Sequence, residues 1–253
     1  MESALITGAA GGIGLELARL FARDQVPLLL VDRDCAGLER AQGEFGASCQ
    51  SLCLDLSSPE AVTEVWDWSQ SLKVQVGYLV NNAGFGQFGQ FSEIAWERQQ
   101  KMIAVNITAL TGLTHYFLPP MLERKKGRIL NLASIAALQP GPMLSVYSAT
   151  KAYVLSFSQA LAEELVGSGV SVTALCPGPT RSNFEFTAGA QNSGHYRDQK
   201  LPSAQEVAEF GYRALQKGRR VAIHGSYNRW QAALVRVLPS SVVTKAVLRR
   251  ASR

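Results

Sequence analysis

Short apolar runs that alternate with helical segments constrain the fold of this chain more than any other feature. The runs are almost continuously apolar, which is typical of strands covered on both faces in a parallel sheet. Seven of them lie near 3–7, 27–32, 49–54, 77–81, 128–134, 170–176 and 220–224. Between the first two, one helical stripe is formed by Ile13, Leu17, Leu20 and Phe21. We therefore predict an α/β fold: a doubly wound, seven-stranded parallel sheet with helices on both faces.

The chain is predicted to form a single domain. Its 253 residues are 47% hydrophobic, enough for one large core, and no repeat or linker divides them. The body is assigned to 1–226, with a long polar loop at 181–201 that we expect to be functional. Residues 227–253 are a basic, amphipathic C-terminal extension of the same domain. No apolar run reaches transmembrane length and no secretory pattern opens the chain, so a cytoplasmic location is expected.

The cysteines, histidines and basic residues exclude some classes of function. Cys35, Cys49, Cys53 and Cys176 show no CxxC spacing, and we expect buried free thiols rather than disulfides. The three histidines are scattered without an HxxxH pair, so no metal site is predicted. The net charge of +5 comes without aromatic residues interleaved among the basic ones, which argues against a nucleic-acid partner.

The segment TGAAGGIG joins the first predicted strand to the first predicted helix. Glycines in such a turn let backbone amides approach a pyrophosphate, and the helix N-terminus adds its partial positive charge. Gly8, Gly12 and Gly14 give the spacing GxxxGxG, with Ile13 between the last two. We predict a dinucleotide-binding site here.

Asp32 ends the second predicted strand, eighteen residues after Gly14. A carboxylate at this place accepts hydrogen bonds from the adenosine ribose hydroxyls and repels a 2′-phosphate, which favours NAD over NADP. Arg33 follows directly, and its guanidinium would accommodate the phosphate if Asp32 turned away. NAD is therefore the preferred cofactor and NADP stays open.

Together these motifs resemble one family. TGAAGGIG, NNAG at 81–84, Asn106, Ser134 and Tyr147-Ser-Ala-Thr-Lys151 resemble, in this order, a short-chain dehydrogenase/reductase of the compact type. The resemblance covers essentially the whole chain and implies a Rossmann fold that binds a nicotinamide dinucleotide. On the adenosine side it implies contacts from Asp55, Leu56, Asn82, Ala83 and Gly84. On the nicotinamide side it implies contacts from Tyr147, Lys151, Pro177, Gly178, Thr180 and Ser182, the last in place of the family's usual threonine.

Tyr147 and Lys151 indicate the chemistry. They are four residues apart and so share one face of a helix. A phenol with a pKa of about 10 is a poor base, and a nearby cation is expected to stabilise its phenolate. Tyr147 is predicted to be the general base in alcohol oxidation and the general acid in carbonyl reduction. By resemblance, Lys151 also binds the nicotinamide ribose, and Asn106 lies in a helix and holds a water. Ser134 would hold the substrate oxygen.

The substrate side is predicted to be apolar. Beyond Ser134 and Tyr147, the predicted lining is Leu138, Met143 and Phe184, with Phe88 and Phe186 as further candidates. The sequence places no obvious buried cation for a carboxylate or phosphate, which favours a lipophilic secondary alcohol or its ketone or aldehyde. His195 and Tyr196 are lid candidates, although an ordinary surface loop is the simpler interpretation.

The C-terminal extension interleaves bulky apolar residues with Arg and Lys, and Pro239 is predicted to divide it into two short helices. Packing on the body or an oligomer contact is the favoured role, and contact with an anionic membrane surface is the alternative. The family resemblance implies a homodimer or homotetramer.

Two other classes of function fit the sequence less well. A non-catalytic dinucleotide sensor or scaffold would require a broken catalytic set, yet Asn106, Ser134, Tyr147 and Lys151 are all present. A sugar-nucleotide epimerase or dehydratase is disfavoured because such enzymes usually carry GxxGxxG and a larger C-terminal domain. The predicted function is an NAD(P)-dependent oxidoreductase.

Overall fold

A computed structural model describes residues 2–182, 184, 188–189, 201–235 and 237–251. Most of the predicted loop at 181–201 lies outside these residues. Phe186, His195 and Tyr196 are among the residues outside, so the predictions made for them have no structural counterpart. No helix in the described ranges is long and apolar enough to cross a membrane.

The predicted sheet is confirmed. Its strands are β1 (Glu2–Thr7), β2 (Leu28–Asp32), β3 (Cys49–Cys53), β4 (Gln75–Asn81), β5 (Gly127–Leu132), β6 (Val170–Cys176) and β7 (Val221–Ile223). They are parallel and lie in the order β3-β2-β1-β4-β5-β6-β7. The strand order reverses between β1 and β4, and in open α/β sheets ligands bind in the crevice outside the carboxyl ends at such a reversal.

Helices cover both faces of the sheet. They are α1 (Gly12–Arg23), α2 (Cys35–Phe45), α3 (Ala61–Ser71), α4 (Trp96–Ile103), α5 (Leu110–Glu123), α6 (Ser145–Glu164), α7 (Ala204–Gln216), α8 (Ser226–Val235) and α9 (Ser240–Ala251). A π-helical turn at Ala104–Ala109 joins α4 to α5. Pro239 lies between α8 and α9, so the C-terminal extension forms two short helices as predicted.

The two sides of the core explain why the strands read as continuous apolar runs. Successive strand residues point to opposite faces. In β1, Leu5 packs on the side of α3, α5 and α6, among residues such as Phe117. Its neighbour Ile6 packs on the side of α1, α2 and α7, with Phe21 and Leu215. Because both faces are buried, no polar position is left to alternate with the apolar ones.

The prediction of free thiols is wrong for two of the four cysteines. Cys35, the first residue of α2, and Cys53, the last residue of β3, form a disulfide with Cα atoms 5.1 Å apart. The parallel pairing of β2 with β3 sets Cys53 opposite Asp32, close to where α2 begins. Cys49 and Cys176 are free and buried, as predicted. The disulfide depends on strand register, which cysteine spacing does not reveal.

Candidate active site

Gly8 and Gly14 show why the turn between β1 and α1 is built of glycine. Gly8 has φ of +66°, a backbone conformation that side chains with a Cβ rarely adopt. At Gly14, in the first turn of α1, an added Cβ would press on the carbonyl oxygen of Gly8 and on Nδ2 of Asn82. The turn is therefore held tightly against the end of β4.

Thr7 and Asn82 fasten the turn to β4. The Thr7 hydroxyl oxygen accepts hydrogen bonds from the backbone amides of Asn82 and Ala83, at 3.1 and 3.0 Å. In return, Asn82 Nδ2 donates to the carbonyl oxygens of Thr7 and Gly8, both at 2.9 Å. The NNAG motif thus has a structural basis, because its second asparagine fixes the shape of the glycine turn.

The N-terminus of α1 has the properties of an anion site. In the described part of the chain no side chain caps its first N–H groups, and its first turn contains no acidic residue. The cap position is Gly11, where an added Cβ would meet nothing within 4 Å. Uncapped backbone amides at a helix N-terminus, facing open space, suit a phosphate group.

Asp32 lies at the edge of the same crevice. Its Oδ2 accepts a hydrogen bond from the Ala10 amide at 2.9 Å, and its Oδ1 accepts one from the Asp34 amide at 3.0 Å. The carboxylate therefore also orders the glycine turn. Arg33 is exposed beside it. The disulfide adjoins this corner, with both sulfur atoms within 4 Å of the Arg33 carbonyl oxygen (3.9 and 3.8 Å).

Asp55 follows β3 at the same end of the crevice. Burial raises the pKa of its carboxyl group, but hydrogen bonds from Ser57 and the charges of Arg33 and Lys101 outweigh that effect. The net result is a pKa below the usual range, so Asp55 is ionised near neutral pH.

The carboxyl end of β5 is where the side chains of Ser134, Tyr147 and Lys151 lie together. All three side chains are buried, and the Ser134 hydroxyl acts on the Tyr147 phenol by lowering its pKa. Lys151 Nζ donates to the carbonyl oxygen of Leu132 at 2.7 Å and lies 5.8 Å from the centre of the Tyr147 ring. The helical i, i+4 spacing and the strand end therefore place these groups together as the sequence predicts.

Burial sets the acid–base state of this group. It raises the pKa of Tyr147 to about 12, although the hydrogen bond with Ser134 acts in the opposite direction. Burial also lowers the pKa of Lys151 to about 8. The pKa of the phenol is therefore raised and not lowered as expected, because the loss of solvation at Tyr147 is its largest cause.

Asn106 holds the helix of Tyr147 and Lys151 in place. It lies in the π-helical turn, and π-turns are frequent at functional sites. Its Oδ1 accepts from the Phe85 amide at 3.1 Å, and its Nδ2 donates to the Phe85 carbonyl and to Thr150 Oγ1, both at 3.0 Å. Thr150 stands immediately before Lys151 in α6. A Cβ added at Gly84 would lie 2.9 Å from Asn106 Oδ1 and 3.2 Å from Lys151 Nζ, so both groups adjoin the NNAG segment.

A continuous cavity of about 720 Å³ joins these parts. Most of the predicted cofactor and catalytic residues line it: Gly8, Gly12, Ile13, Asp32, Arg33, Asp55, Leu56, Asn82, Ala83, Gly84, Ser134, Tyr147, Lys151, Pro177, Gly178, Thr180 and Ser182. Gly14 and Asn106 stand behind the wall and support it. In the described ranges, no cluster of three or more His, Cys, Asp or Glu side chains is arranged to hold a metal.

The predicted substrate residues are only partly brought together. Phe184 lines the cavity, with its ring centre 5.3 Å from that of Tyr147. Leu138 instead packs against a separate core cluster around Val154, and Met143 lies in a turn with φ of +67°. Neither of these two, nor Phe88, is part of the described cavity wall, and their places are taken by Ala136, Gln139, Pro142 and Leu144.

The C-terminal extension supplies a wall that the sequence prediction missed. Its residues on the cavity are Tyr227, Asn228, Trp230, Gln231, Leu234, Val235, Leu238, Val243, Ala246 and Val247. On α8 they form adjacent pairs at 227/228, 230/231 and 234/235, and the pairs recur every three or four residues, which is one face of a helix. That spacing was visible in the sequence and could have identified the face, although not what it contacts.

Comparison with known proteins identifies the family. Residues 2–192 match the short chain dehydrogenase family. The ketoacyl reductase HetN of Nostoc is 33% identical over 180 residues, which are 70% of this chain and 63% of HetN. The chain thus spans a little less than two thirds of the length of HetN. The protein belongs to the short-chain dehydrogenase/reductase family.

Solved structures agree with this assignment. A short-chain dehydrogenase from Sphingobium yanoikuyae in complex with NADPH is 31% identical, with a TM-score of 0.82 over 95% of this chain and 98% of that one. A 3-ketoacyl-(acyl-carrier-protein) reductase from Brucella melitensis complexed with NADH is also 31% identical, with a TM-score of 0.79 over 88% and 95% of the two chains. Of these two structural relatives, one was solved with NADPH and the other with NADH.

Proposed function

We propose that this protein is an NAD(P)-dependent oxidoreductase that interconverts a secondary alcohol and a ketone or aldehyde. The observation that carries the proposal is the convergence of Ser134, Tyr147 and Lys151 on one cavity that also holds the glycine turn. Family membership and the dinucleotide complexes of the structural relatives support it. A nicotinamide bound along this cavity would accept the substrate hydride in oxidation and supply it in reduction.

The protein groups would move the proton. In reduction, the Tyr147 hydroxyl donates its proton to the carbonyl oxygen, which Ser134 orients by a hydrogen bond. A pKa of about 12 keeps this phenol protonated at neutral pH, which is the form that reduction requires. Lys151 is mostly charged at pH 7 with its pKa of about 8, and its charge stabilises the phenolate left behind. Asn106 acts through Thr150 by holding α6 in position.

The residues at both ends of the cavity fit a dinucleotide. The uncapped N-terminus of α1 would bind the pyrophosphate, and the Asp32 carboxylate would bind the adenosine ribose. NAD is our preferred cofactor because Asp32 would repel a 2′-phosphate, although Arg33 is exposed alongside. Dissociation constants for NADH and NADPH, measured at the same ionic strength, test this preference, and tighter binding of NADPH would contradict it.

The substrate is proposed to be lipophilic. The cavity lining includes apolar side chains from two parts of the chain: Phe184 and Leu144 from the body, and Leu234, Val243 and Val247 from the C-terminal helices. Apolar walls with a few converging polar groups are usual for sites that bind apolar molecules. Assembly as a homodimer or homotetramer and a cytoplasmic location stay predictions.

The variant Tyr147→Phe tests the reaction. General acid–base catalysis contributes about 10²–10⁴-fold, so turnover of a panel of ketones should fall by about that factor while NADH binding persists. Tyr153→Phe is the matched control, because Tyr153 lies on the same helix and is exposed. Among the described hydrogen bonds its hydroxyl makes only the one with Thr111, at 3.0 Å, and the substitution keeps the ring that stacks on Phe157. Nicotinamide absorbance measures turnover. Full activity in Tyr147→Phe would remove the phenol from the mechanism, and dinucleotide binding without turnover of any compound would favour the sensor alternative.

A further inference from the structure

We propose that helices α8 and α9 dock on an anionic membrane surface, with the mouth of the cavity facing the lipid. Two independent properties of these helices support the docking: their charge and the exposure of their apolar residues. Membrane docking can be tested without substrate or cofactor, so its outcome does not depend on the proposed reaction.

The charge of the chain is concentrated in this segment. Residues 226–253 contain six Arg or Lys and no Asp or Glu, whereas the rest of the chain has slightly more acidic than basic residues. Among the described cations, Arg229, Lys245 and Arg249 are exposed. Such clusters are attracted to anionic lipid by about 1 kcal/mol for each cation near the surface. A second copy of the chain would bring the same positive charges to the same face, so self-association there is disfavoured.

The exposed apolar residues of the segment are those that membranes accommodate. On α8, Tyr227 and Trp230 are one turn apart, 61% and 63% exposed, and both stand on the rim of the cavity. In the connection to α9, Val237 is 77% exposed, and Val242 follows in the first turn of α9 at 52%. Tyr and Trp favour the membrane–water interface, and helices with apolar residues next to Lys and Arg lie in its plane.

Docking of α8 and α9 on a membrane would also affect how a substrate reaches the cavity. Residues of both α8 and α9 line the cavity, and Leu238, in the connection between them, lines it while remaining partly exposed. If this rim lies in the interfacial region, an apolar compound dissolved in the bilayer can enter without crossing water. This arrangement would account for large apolar side chains that are exposed around the opening of a site.

Vesicle co-sedimentation tests the proposal. The full chain is mixed with vesicles of equal parts phosphatidylcholine and phosphatidylglycerol, or with phosphatidylcholine alone, and we expect sedimentation with the first and not the second. The variant Lys245→Gln/Arg249→Gln should weaken binding about 30-fold, since each cation contributes about 1 kcal/mol. A higher salt concentration should also weaken the binding of the wild type to anionic vesicles.

A matched control separates this surface from general positive charge. Lys217 and Arg219 are exposed cations immediately before β7, hence at the amino edge of the sheet, opposite the cavity. Lys217→Gln/Arg219→Gln should bind vesicles nearly as well as the wild type. Trp230→Phe should still sediment but lose the blue shift of tryptophan emission on vesicle addition, with circular dichroism confirming that each variant is folded.

Three results would overturn the proposal. The first is a chain that stays in the supernatant with anionic vesicles. The second is an equal loss of binding in the Lys217→Gln/Arg219→Gln control. The third is a protein that does not bind vesicles but forms a dimer, detected by light scattering and abolished by Trp230→Ala. That result would assign the face to a second copy of the chain.

Discussion

Replacing Gly14 by alanine gives the sharpest test of how the glycine turn is built. Gly14 lies in the first turn of α1, where an alanine Cβ would meet the carbonyl oxygen of Gly8 and approach Asn82 Nδ2 to 2.5 Å. The amide of Asn82 cannot move away freely, because it also donates to the Thr7 carbonyl. The clash would therefore strain the glycine turn where it packs against the end of β4.

A second helical glycine supplies the control. Gly43 lies in α2, where an added Cβ would meet nothing within 4 Å. Alanine is favoured over glycine inside a helix by about 1 kcal/mol, so Gly43→Ala should stabilise the protein by about that amount. Gly14→Ala gains the same propensity but adds about 1–3 kcal/mol of overpacking and loses a hydrogen bond worth about 1 kcal/mol. We expect a net destabilisation of about 2 kcal/mol.

Urea unfolding and thermal melting measure both variants. For a chain of this size about 2–4 °C of melting temperature corresponds to 1 kcal/mol, so Gly14→Ala should melt about 6 °C lower and Gly43→Ala about 3 °C higher than the wild type. Gly14→Ala should also bind NADH more weakly, with Gly43→Ala unchanged. If the two alanine variants were equally stable, the close contact at Gly14 would be refuted.

Two further predictions concern the disulfide and the buried lysine. Cys53→Ser opens a loop of 18 residues and should lower the free energy of unfolding by about 3 kcal/mol, while adding a dithiol reductant to the wild type should have the same effect and leave the variant unchanged. Lys151→Met should raise the free energy of unfolding at pH 7 by about 2 kcal/mol. Removing a lysine whose pKa burial lowers to about 8 stabilises the folded state, and the loss of the hydrogen bond to the Leu132 carbonyl cancels part of that gain. Because the folded pKa is depressed, this gain is full below pH 8 and should shrink as pH rises towards the unfolded lysine pKa of about 10.4, as urea unfolding at two pH values would show. A gain that stayed constant with pH would contradict a charged, buried Lys151.

Local sequence patterns predicted the strands and helices, and also which side chains lie at their ends. Strands buried on both faces produce continuous apolar runs, so all seven were found, with bounds close to those of the structure. The glycine turn, Asp32, Ser134 and the Tyr147–Lys151 pair are each fixed within one strand end or one helix turn. Their meeting point follows from the topology of a parallel sheet, because the carboxyl ends of its strands share one edge.

Features that depend on contacts between distant segments were not predictable. The Cys35–Cys53 disulfide depends on the register of β2 with β3. The pKa of Tyr147 depends on how completely the site is buried, and the i, i+4 spacing of the lysine carries no information about that. Met143 was predicted to line the cavity from its place between Ser134 and Tyr147, but the turn before α6 presents Leu144 instead.

The C-terminal helices lie outside the part of the chain that matches the family. The match to the short chain dehydrogenase family ends at residue 192, and Asn106, Ser134, Tyr147 and Lys151 all lie before it. The cavity wall continues past that point to Val247, through residues of α8 and α9 that the match does not include. The groups that we propose to transfer a proton thus lie within the matched range, whereas part of the apolar cavity wall belongs to a segment that the match does not cover. Membership of the family therefore supports the proposed reaction, whereas evidence on the substrate has to come from the residues of α8 and α9 that line the cavity.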